Sequence, residues 1–212
     1  MRQKDVFLQS EGDAWRHRNP AATITIAASN PLLAEIIALT PVPTRGTRVL
    51  EVGCGDGARL QFLSETLGFE SHGIDPSTEA VRAALARGVG AQQSTADRLP
   101  FDDQSFDILM FGFCLYLCDR EDLFRIANEA DRVLRSPGWL LIHDFYSVLP
   151  SKREYHHRPG LFSYKMDYRT LFTWHPAYTN YSQRVRAHSD DAYTDEPGEW
   201  VATSVLRKIA IT

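Results

Sequence analysis

The sequence predicts a doubly wound α/β fold with a mostly parallel sheet, and three observations carry the prediction. Strand-like and helical apolar patterns alternate from residue 48 to residue 145. Repeated strand–helix–strand units of this length imply parallel strands joined by right-handed crossovers. Two runs, FDILMFGF (106–113) and WLLIHDF (139–145), are apolar on both faces, as central strands covered by helices are. Glycines follow one strand at once, where the chain turns sharply into a helix. With 212 residues, 43% of them hydrophobic and 24% charged, the chain suits one domain that buries its core without disulfide or metal staples.

The elements follow in order. Ser29-Asn30-Pro31 starts a helix, with a capping side chain ahead of a proline preset for the first turn. Leu32, Leu33, Ile36, Ile37 and Leu39 form its apolar face, and Pro41 and Pro43 stop it. RVLEVG (48–53) is a short strand, followed by glycines and a helical pattern through Leu67. SHGIDP (71–76) is the next strand, and Ser77 caps a helix that runs to Arg87. A weaker strand covers 89–94. Asp119 is expected to cap a helix reaching Arg135, with Leu123, Ile126, Ala127, Ala130, Val133 and Leu134 on one side, and Pro137-Gly138 ends it. After Phe145 the pattern changes. Residues 147–175 are rich in Tyr, His, Arg and Pro without a clear period. Two strand-like runs, 178–188 and 200–211, then flank an acidic turn region and are read as a hairpin at the sheet edge.

Charge and cysteine usage narrow the function classes. The formal net charge of −4 lacks the basic excess that phosphate-backbone binding uses, so nucleic acid is disfavoured as a partner. Cys54, Cys114 and Cys118 cannot all pair and form no C-x-x-C zinc pattern, which favours a reduced, cytoplasmic setting. The N-terminus is polar, and the most apolar stretch, 108–118, falls short of the ~20 residues of a membrane helix, so no membrane insertion is expected.

The segment VLEVGCGDGARL carries the most chemistry. Gly53, Gly55 and Gly57 let the backbone turn and approach a ligand, and the following helix offers free N–H groups and its positive dipole end. Asp75 closes the next strand, where a carboxylate can accept both hydroxyl hydrogens of a ribose. The spacing alone admits two cofactors, because Gly53, Gly55 and Ala58 also satisfy the dinucleotide pattern G-x-G-x-x-A.

Further motifs separate the two. Glu51-Val52-Gly53-Cys54-Gly55-Asp56-Gly57 resembles the first motif of Rossmann-like (class I) S-adenosylmethionine-dependent methyltransferases, and Gly73-Ile74-Asp75-Pro76-Ser77 resembles their second. Ala96-Asp97-Arg98-Leu99-Pro100-Phe101, followed by Ser105-Phe106-Asp107, is similar to their D-x-x-L-P-F stretch. Arg132-Val133-Leu134-Arg135-Ser136-Pro137-Gly138 resembles the segment before their fifth strand. The resemblance runs from about Val49 to Phe145, is similar to the ubiquinone-biosynthesis methyltransferases, and implies a seven-stranded sheet ending in an antiparallel hairpin.

Carried over residue by residue, the resemblance implies S-adenosylmethionine as cofactor, its methionine part against Gly53, Gly55 and Gly57. Glu51 orders that loop or meets the cofactor's ammonium through water, and Asp75 binds the ribose. Asp97 accepts from the adenine amino group, Arg98 lends its backbone, and Phe111 offers its carbonyl. Glu11 to Asn19 resembles the W-x-x-R helix of some relatives, which implies Arg18 on the cofactor carboxylate and Trp15 over the methionine arm. A turn-forming Asp97, a core-packing Phe111 and a solvated leading helix are the competing readings. Where relatives carry paired histidines after strand four, Leu115 and Tyr116 stand here, and the Pro-Gly-Gly turn reads Pro137-Gly138-Trp139.

The implied organisation is one domain over 1–212, with an N-terminal helical cap (1–45), a cofactor-binding core (46–146) and an acceptor-lid loop with the terminal hairpin (147–212). The expected reaction is methyl transfer to an oxygen, nitrogen or carbon of a small molecule, anionic or sugar-like. Candidate catalytic groups are His156 and His157 in the lid loop, Tyr116 through its hydroxyl, and His143 at the end of a strand. His143 and Asp144 point to opposite faces, and a histidine satisfied by nearby backbone competes with a catalytic one. Two adjacent histidines without a third ligand argue against a metal site. Tyr164, Lys165, Tyr168, Arg169, Trp174, His175 and Tyr178 interleave aromatics with cations, which suits a ring bearing a phosphate or carboxylate. The rival functions are a nicotinamide-dependent oxidoreductase, which leaves 97–106 unexplained, and a cofactor-binding regulatory module without turnover.

Overall fold

The computed structural model of the chain describes residues 2–19, 30–39, 43–190 and 192–210. Ser29, Pro41 and Ile211, which mark expected element ends, lie outside the described residues.

Five parallel strands come first: β1 (Arg48–Val52), β2 (Glu70–Asp75), β3 (Gly90–Gln93), β4 (Phe106–Gly112) and β5 (Leu134–Phe145). A small antiparallel hairpin, β6 (Ser151–Glu154) and β7 (Phe162–Lys165), follows apart from the main sheet. The chain then returns as β8 (Tyr178–Ala187) and β9 (Trp200–Lys208), both antiparallel. The main sheet has the order β3-β2-β1-β4-β5-β9-β8, the seven-stranded, mostly parallel arrangement expected. Its direction of winding reverses between β1 and β4, and open sheets of this kind bind ligands at that switch point, beyond the strand ends.

The helices are α1 (Gln3–Val6), α2 (Gly12–Arg18), α3 (Pro31–Ile37), α4 (Ala58–Leu67), α5 (Thr78–Ala86), α6 (Leu123–Val133) and α7 (Thr170–Thr173). Alternation along the central strands sends side chains into two cores. Leu50, Val52, Leu109 and Phe111 pack with α6 and α7, whereas Val49, Ile108 and Met110 pack with α3 and α4. Both sheet faces are therefore covered, which is why β4 reads as an unbroken apolar run. Among the described residues, no helix is long and apolar enough to cross a membrane.

The caps divide into two expected and one reassigned. Asn30 Oδ1 accepts from the Leu32 and Leu33 amides at 3.2 and 3.4 Å, and Ser77 Oγ from the Ala80 amide at 3.0 Å. Asp119 does not cap α6, because a 3₁₀ turn, Arg120–Asp122, intervenes. Its carboxylate instead accepts from the Gln3 and Lys4 amides at 3.1 and 3.0 Å, so it caps α1 from 115 residues away in sequence for Lys4. Residues 147–175 also hold more order than their lack of period implies. All four β6 residues are exposed and all four of β7 half-buried, so neither strand alternates.

Candidate active site

The ends of β1, β2, β4 and β5 face one cavity of about 770 Å³, roofed by α1, α2 and the β6–β7 hairpin. Gly53, Gly55 and Gly57 adopt φ of +76°, +55° and +75°, a region that favours glycine. Their surroundings differ. A Cβ on Gly55 would meet nothing within 4 Å, but one on Gly57 would lie 2.9 Å from Ala84 Cβ. Gly55 thus opens onto the cavity, and Gly57 lets α4 and α5 pack closely.

Glu51 is fully buried behind this loop. Its Oε1 accepts from Arg59 Nε at 2.8 Å and from Nη2, while Oε2 has no partner. Burial raises the Glu51 carboxyl, with Arg59 opposing. Arg59, in the first turn of α4, also lines the cavity. The sequence reading passed over it, although a cation one helical turn after the glycines is the natural partner for a buried strand acid.

Asp75 ties β2 to the loop: Oδ2 accepts from the Gly55 amide at 2.9 Å and Oδ1 from the Ser77 amide at 2.8 Å. Asp97 is buried at the same end, where its carboxylate pairs with Lys4 and accepts from Thr95 Oγ1 at 2.7 Å. Burial alone would raise the Asp97 carboxyl, but the Lys4 and Thr95 hydrogen bonds hold it below its ordinary value. Arg98 points outward, and its amide donates to Thr95 O at 3.0 Å. Phe111 packs wholly inside the core beside Phe172. The residues that line the cavity there are Gly112 and Phe113.

The leading helices close the roof. Trp15 lines the cavity, and its indole lies beside the Tyr116 hydroxyl. Arg18 does not line it: the guanidinium pairs with buried Glu11 and reaches the Tyr155 hydroxyl at 3.2 Å. On this helix the arginine facing the cavity is Arg16, whose charge acts on Asp75. Helical geometry gives the reason, since residues two apart point to different sides. Gln3 fastens the roof. Its Nε2 donates to Leu117 O and Phe162 O, and its Oε1 accepts from the Phe162 amide at 2.9 Å.

On the far side Asp144 is buried, and its Oδ2 accepts from the Cys114 and Leu115 amides at 3.1 and 2.8 Å. Burial pushes its carboxyl up to about 7 against the pull of these N–H donors. This clasp orients Phe113 and Tyr116, both on the cavity. Burial pushes the Tyr116 hydroxyl pKa upward, which keeps the group protonated. His143 takes the opposite face, with Nδ1 2.7 Å from Thr203 Oγ1. Its partner is therefore a side chain on β9 rather than backbone. Burial pushes His143 down to about 3, and it does not line the cavity. His156 and His157 are exposed on the cavity rim with ring centroids 4.0 Å apart. Neighbouring Arg158 bonds Ser10 Oγ at 2.7 Å instead.

Of the aromatic and cationic tail, Tyr164 and Lys165 reach the cavity. Tyr168 and Tyr178 are buried in the core, Arg169 pairs with Asp167, and Trp174 is exposed. Among the described residues no group of three His, Cys, Asp or Glu could hold a metal ion.

Residues 50–142, from the middle of β1 to β5, match the family described as a methyltransferase domain. Over those residues the chain is similar to a methyltransferase domain. Its curated relatives include phthiotriol/phenolphthiotriol dimycocerosates methyltransferase 1 of Mycobacterium ulcerans. That protein is 34% identical over 110 residues, which are 50% of this chain and 40% of the relative. A fatty-acid O-methyltransferase of Mycolicibacterium smegmatis is 35% identical over 104 residues, 47% of this chain and 37% of the relative. The chain spans less than half the length of these relatives. Among solved structures, it resembles the Burkholderia thailandensis 1,6-didemethyltoxoflavin-N1-methyltransferase, crystallised with 1,6-didemethyltoxoflavin and S-adenosylhomocysteine. The TM-score is 0.76 at 18% identity, over 97% of this chain and 89% of that one. At this identity the likeness concerns the fold alone, which the two share over nearly the whole of this chain.

The cavity fits S-adenosylmethionine on its own geometry. The open face of Gly55 admits close backbone approach, Asp75 stands at the β2 end with lone pairs to spare, and Glu51 Oε2 is a buried acceptor without a partner.

Proposed function

We propose that the chain transfers a methyl group from S-adenosylmethionine to an anionic small molecule admitted beneath the β6–β7 hairpin. The observation that carries this reading is the convergence, in one cavity, of the Gly53–Gly55 backbone, Asp75 and Asp97 at one end with Tyr116, His156, His157 and Lys165 at the other. When bound, the cofactor supplies an electrophilic methyl on a sulfonium, with the thioether as leaving group.

The chain's own residues do the positioning. Asp75 holds the ribose hydroxyls, Asp97 the adenine edge beside Lys4, and Arg16 the carboxylate. Glu51 meets the ammonium through water from behind the loop. Trp15 and the hairpin exclude water, and orientation of this kind supplies roughly 7–11 kcal/mol of a barrier. The Tyr116 hydroxyl, kept protonated, donates to the acceptor and fixes its direction. His156 and His157, open to solvent at the rim, accept the proton that a hydroxyl or amine acceptor releases as its lone pair forms the new bond to carbon. His143, neutral and turned to Thr203, supports the wall.

In this reading residues 1–212 act as one unit, with 1–45 capping, 46–146 binding cofactor and 147–212 admitting the acceptor. Titration calorimetry with S-adenosylmethionine, S-adenosylhomocysteine, NAD and NADP tests it. Binding of the two sulfur compounds is expected, and preferential binding of a nicotinamide dinucleotide would overturn it.

A further inference from the structure

Four rings meet on the cavity wall beyond the glycine loop, and of these the methyl-transfer reading uses only the Tyr116 hydroxyl. Phe113 stands edge-on to Phe145 at 5.3 Å and to His188 at 5.4 Å between centroids. Phe145 in turn meets His188 at 5.1 Å and Tyr116 at 5.0 Å. All four line the cavity. They come from three separate parts of the chain: the turn after β4, the end of β5 and the turn after β8. Helical or strand periodicity cannot bring such positions together, so the cluster belongs to the site and not to one element's packing.

Phe113 is held in a costly conformation. Its φ is +53°, a left-handed region that bulky side chains avoid. The amide donates to His143 O at 2.8 Å, and the Asp144 clasp fixes the next two residues. A strained residue whose surroundings over-determine it is a pointer to function. Here the strain aims a phenyl ring along the cavity beside the Gly53 loop, where a Cβ on Gly53 would lie 2.7 Å from Cys114 Cβ.

One cation completes the wall. Lys165 Nζ lies 4.4 Å from the Phe145 ring centroid, on the cavity side, and also donates to Gly198 O. An ammonium has three donors, so two remain for a ligand. Half-buried, with burial lowering its pKa, it gains from an anion that replaces lost water.

We propose that Phe113, Phe145, Tyr116, His188 and Lys165 form the acceptor subsite for a planar aromatic acid, its ring against the aromatic wall and its carboxylate on Lys165. The proposal rests on the methyl-transfer reading and narrows it from anionic small molecules to aromatic ones. A ring π-system gains from offset or edge contacts with such a wall, whereas a saturated ring offers only area and a sugar leaves hydroxyls facing phenyl edges.

The test uses the full chain saturated with S-adenosylhomocysteine, whose binding is measured first. Ligand-observed NMR then compares one- and two-ring hydroxy-aromatic carboxylates with their ring-saturated counterparts and with neutral phenols. The aromatic acids are expected to bind at least about tenfold more tightly than either control set. Phe145→Leu should reduce that preference for aromatic over saturated acids. Lys165→Gln should reduce the preference for acids over phenols by about tenfold, with S-adenosylhomocysteine affinity unchanged in both. Equal binding of aromatic and saturated acids, or no binding of either to the loaded protein, would overturn the aromatic subsite alone. Failure of the native chain to bind S-adenosylhomocysteine would overturn the methyl-transfer reading beneath it.

Discussion

Alanine at Gly57 and alanine at Gly55 separate what the glycine loop does for the fold from what it does for a ligand. At Gly57 a methyl would sit 2.9 Å from Ala84 Cβ and 3.2 Å from Val89 Cγ2, with φ at +75°. Neither neighbour is the free end of a long side chain, so α4 and α5 must move apart. Overpacking of this sort costs about 1–3 kcal/mol, and the left-handed backbone adds about 1–2 kcal/mol. For a chain of this size the sum lowers Tm by roughly 5–15 °C. At Gly55 no atom lies within 4 Å and only the backbone cost at φ +55° applies, about 1–2 kcal/mol. Its methyl, however, projects from the surface a ligand must approach. Gly57→Ala should therefore unfold early yet, while folded, bind S-adenosylhomocysteine within about threefold of the native chain. Gly55→Ala should keep more of its stability and lose at least about tenfold in affinity. Calorimetric melting without ligand and titration calorimetry below the melting range read the two effects separately. A Gly57→Ala chain that melts as the native one does, or a Gly55→Ala chain with native affinity, would refute the division of roles.

Two further outcomes follow from the roof and from the strand histidine. Arg16→Ala should weaken S-adenosylhomocysteine binding about five- to tenfold and leave Tm nearly unchanged. Arg18→Ala should do the reverse, costing about 1–3 kcal/mol because buried Glu11 loses its closest cation; calorimetry on both variants decides, and swapped effects would return Arg18 to the cofactor. His143 stays neutral in the folded chain down to about pH 3 but takes a proton near its ordinary 6.5 once unfolded. The unfolded state binds more protons in that window, so stability present above 6.5 is lost as pH falls, by about 2 kcal/mol between pH 6.5 and about 4.5. Asp144, held up to about 7, contributes in the opposite sense over the same window. Urea unfolding should therefore reveal the His143 loss as the difference between the native chain and His143→Gln, the native chain losing more stability with acid; parallel slopes would place the acid sensitivity elsewhere.

How much of this was legible in the sequence depends on how local the signal is. The central strands, the glycine turn and Asp75 each follow from neighbours in the chain: an apolar run for β4, a capping Ser77 for α5, an acid at the strand end. Glu51, by contrast, reads as a buried acid, but its partner Arg59 appears only when β1 and α4 are folded together. Arg18 and Arg16 differ by two positions, and deciding which faces the cavity requires the helix's rotation. Asp119 illustrates the limit most sharply. Its type and place read as a cap for the helix ahead, and its carboxylate caps α1 instead, because Gln3 draws the N-terminus across the cavity. Of the proposed acceptor wall the sequence singles out Tyr116 and Lys165 but not Phe113, Phe145 or His188, which share no period and meet only through the sheet's topology.

That topology also explains why the two ends of the site differ in kind. The cofactor end is built from β1, β2 and the turns that leave them, so its geometry is fixed by the same parallel ladder that fixes the core. The proposed acceptor end is assembled from the turn after β4, the end of β5, the turn after β8 and the β6–β7 hairpin, which lies outside the main sheet's ladder. Asp144 binds the Cys114 and Leu115 amides, Gln3 binds Leu117 and Phe162, and Lys165 binds Gly198. Changes in the hairpin can therefore reshape the proposed acceptor wall while leaving the ladder intact. Changes at Asp144 cannot, because its carboxylate orients the turn that carries Phe113 and Tyr116 and adjoins the Gly53 loop. On the proposed reading, acceptor choice is thus free to vary in the hairpin, outside the ladder, and cofactor binding is constrained where the ladder holds the loop.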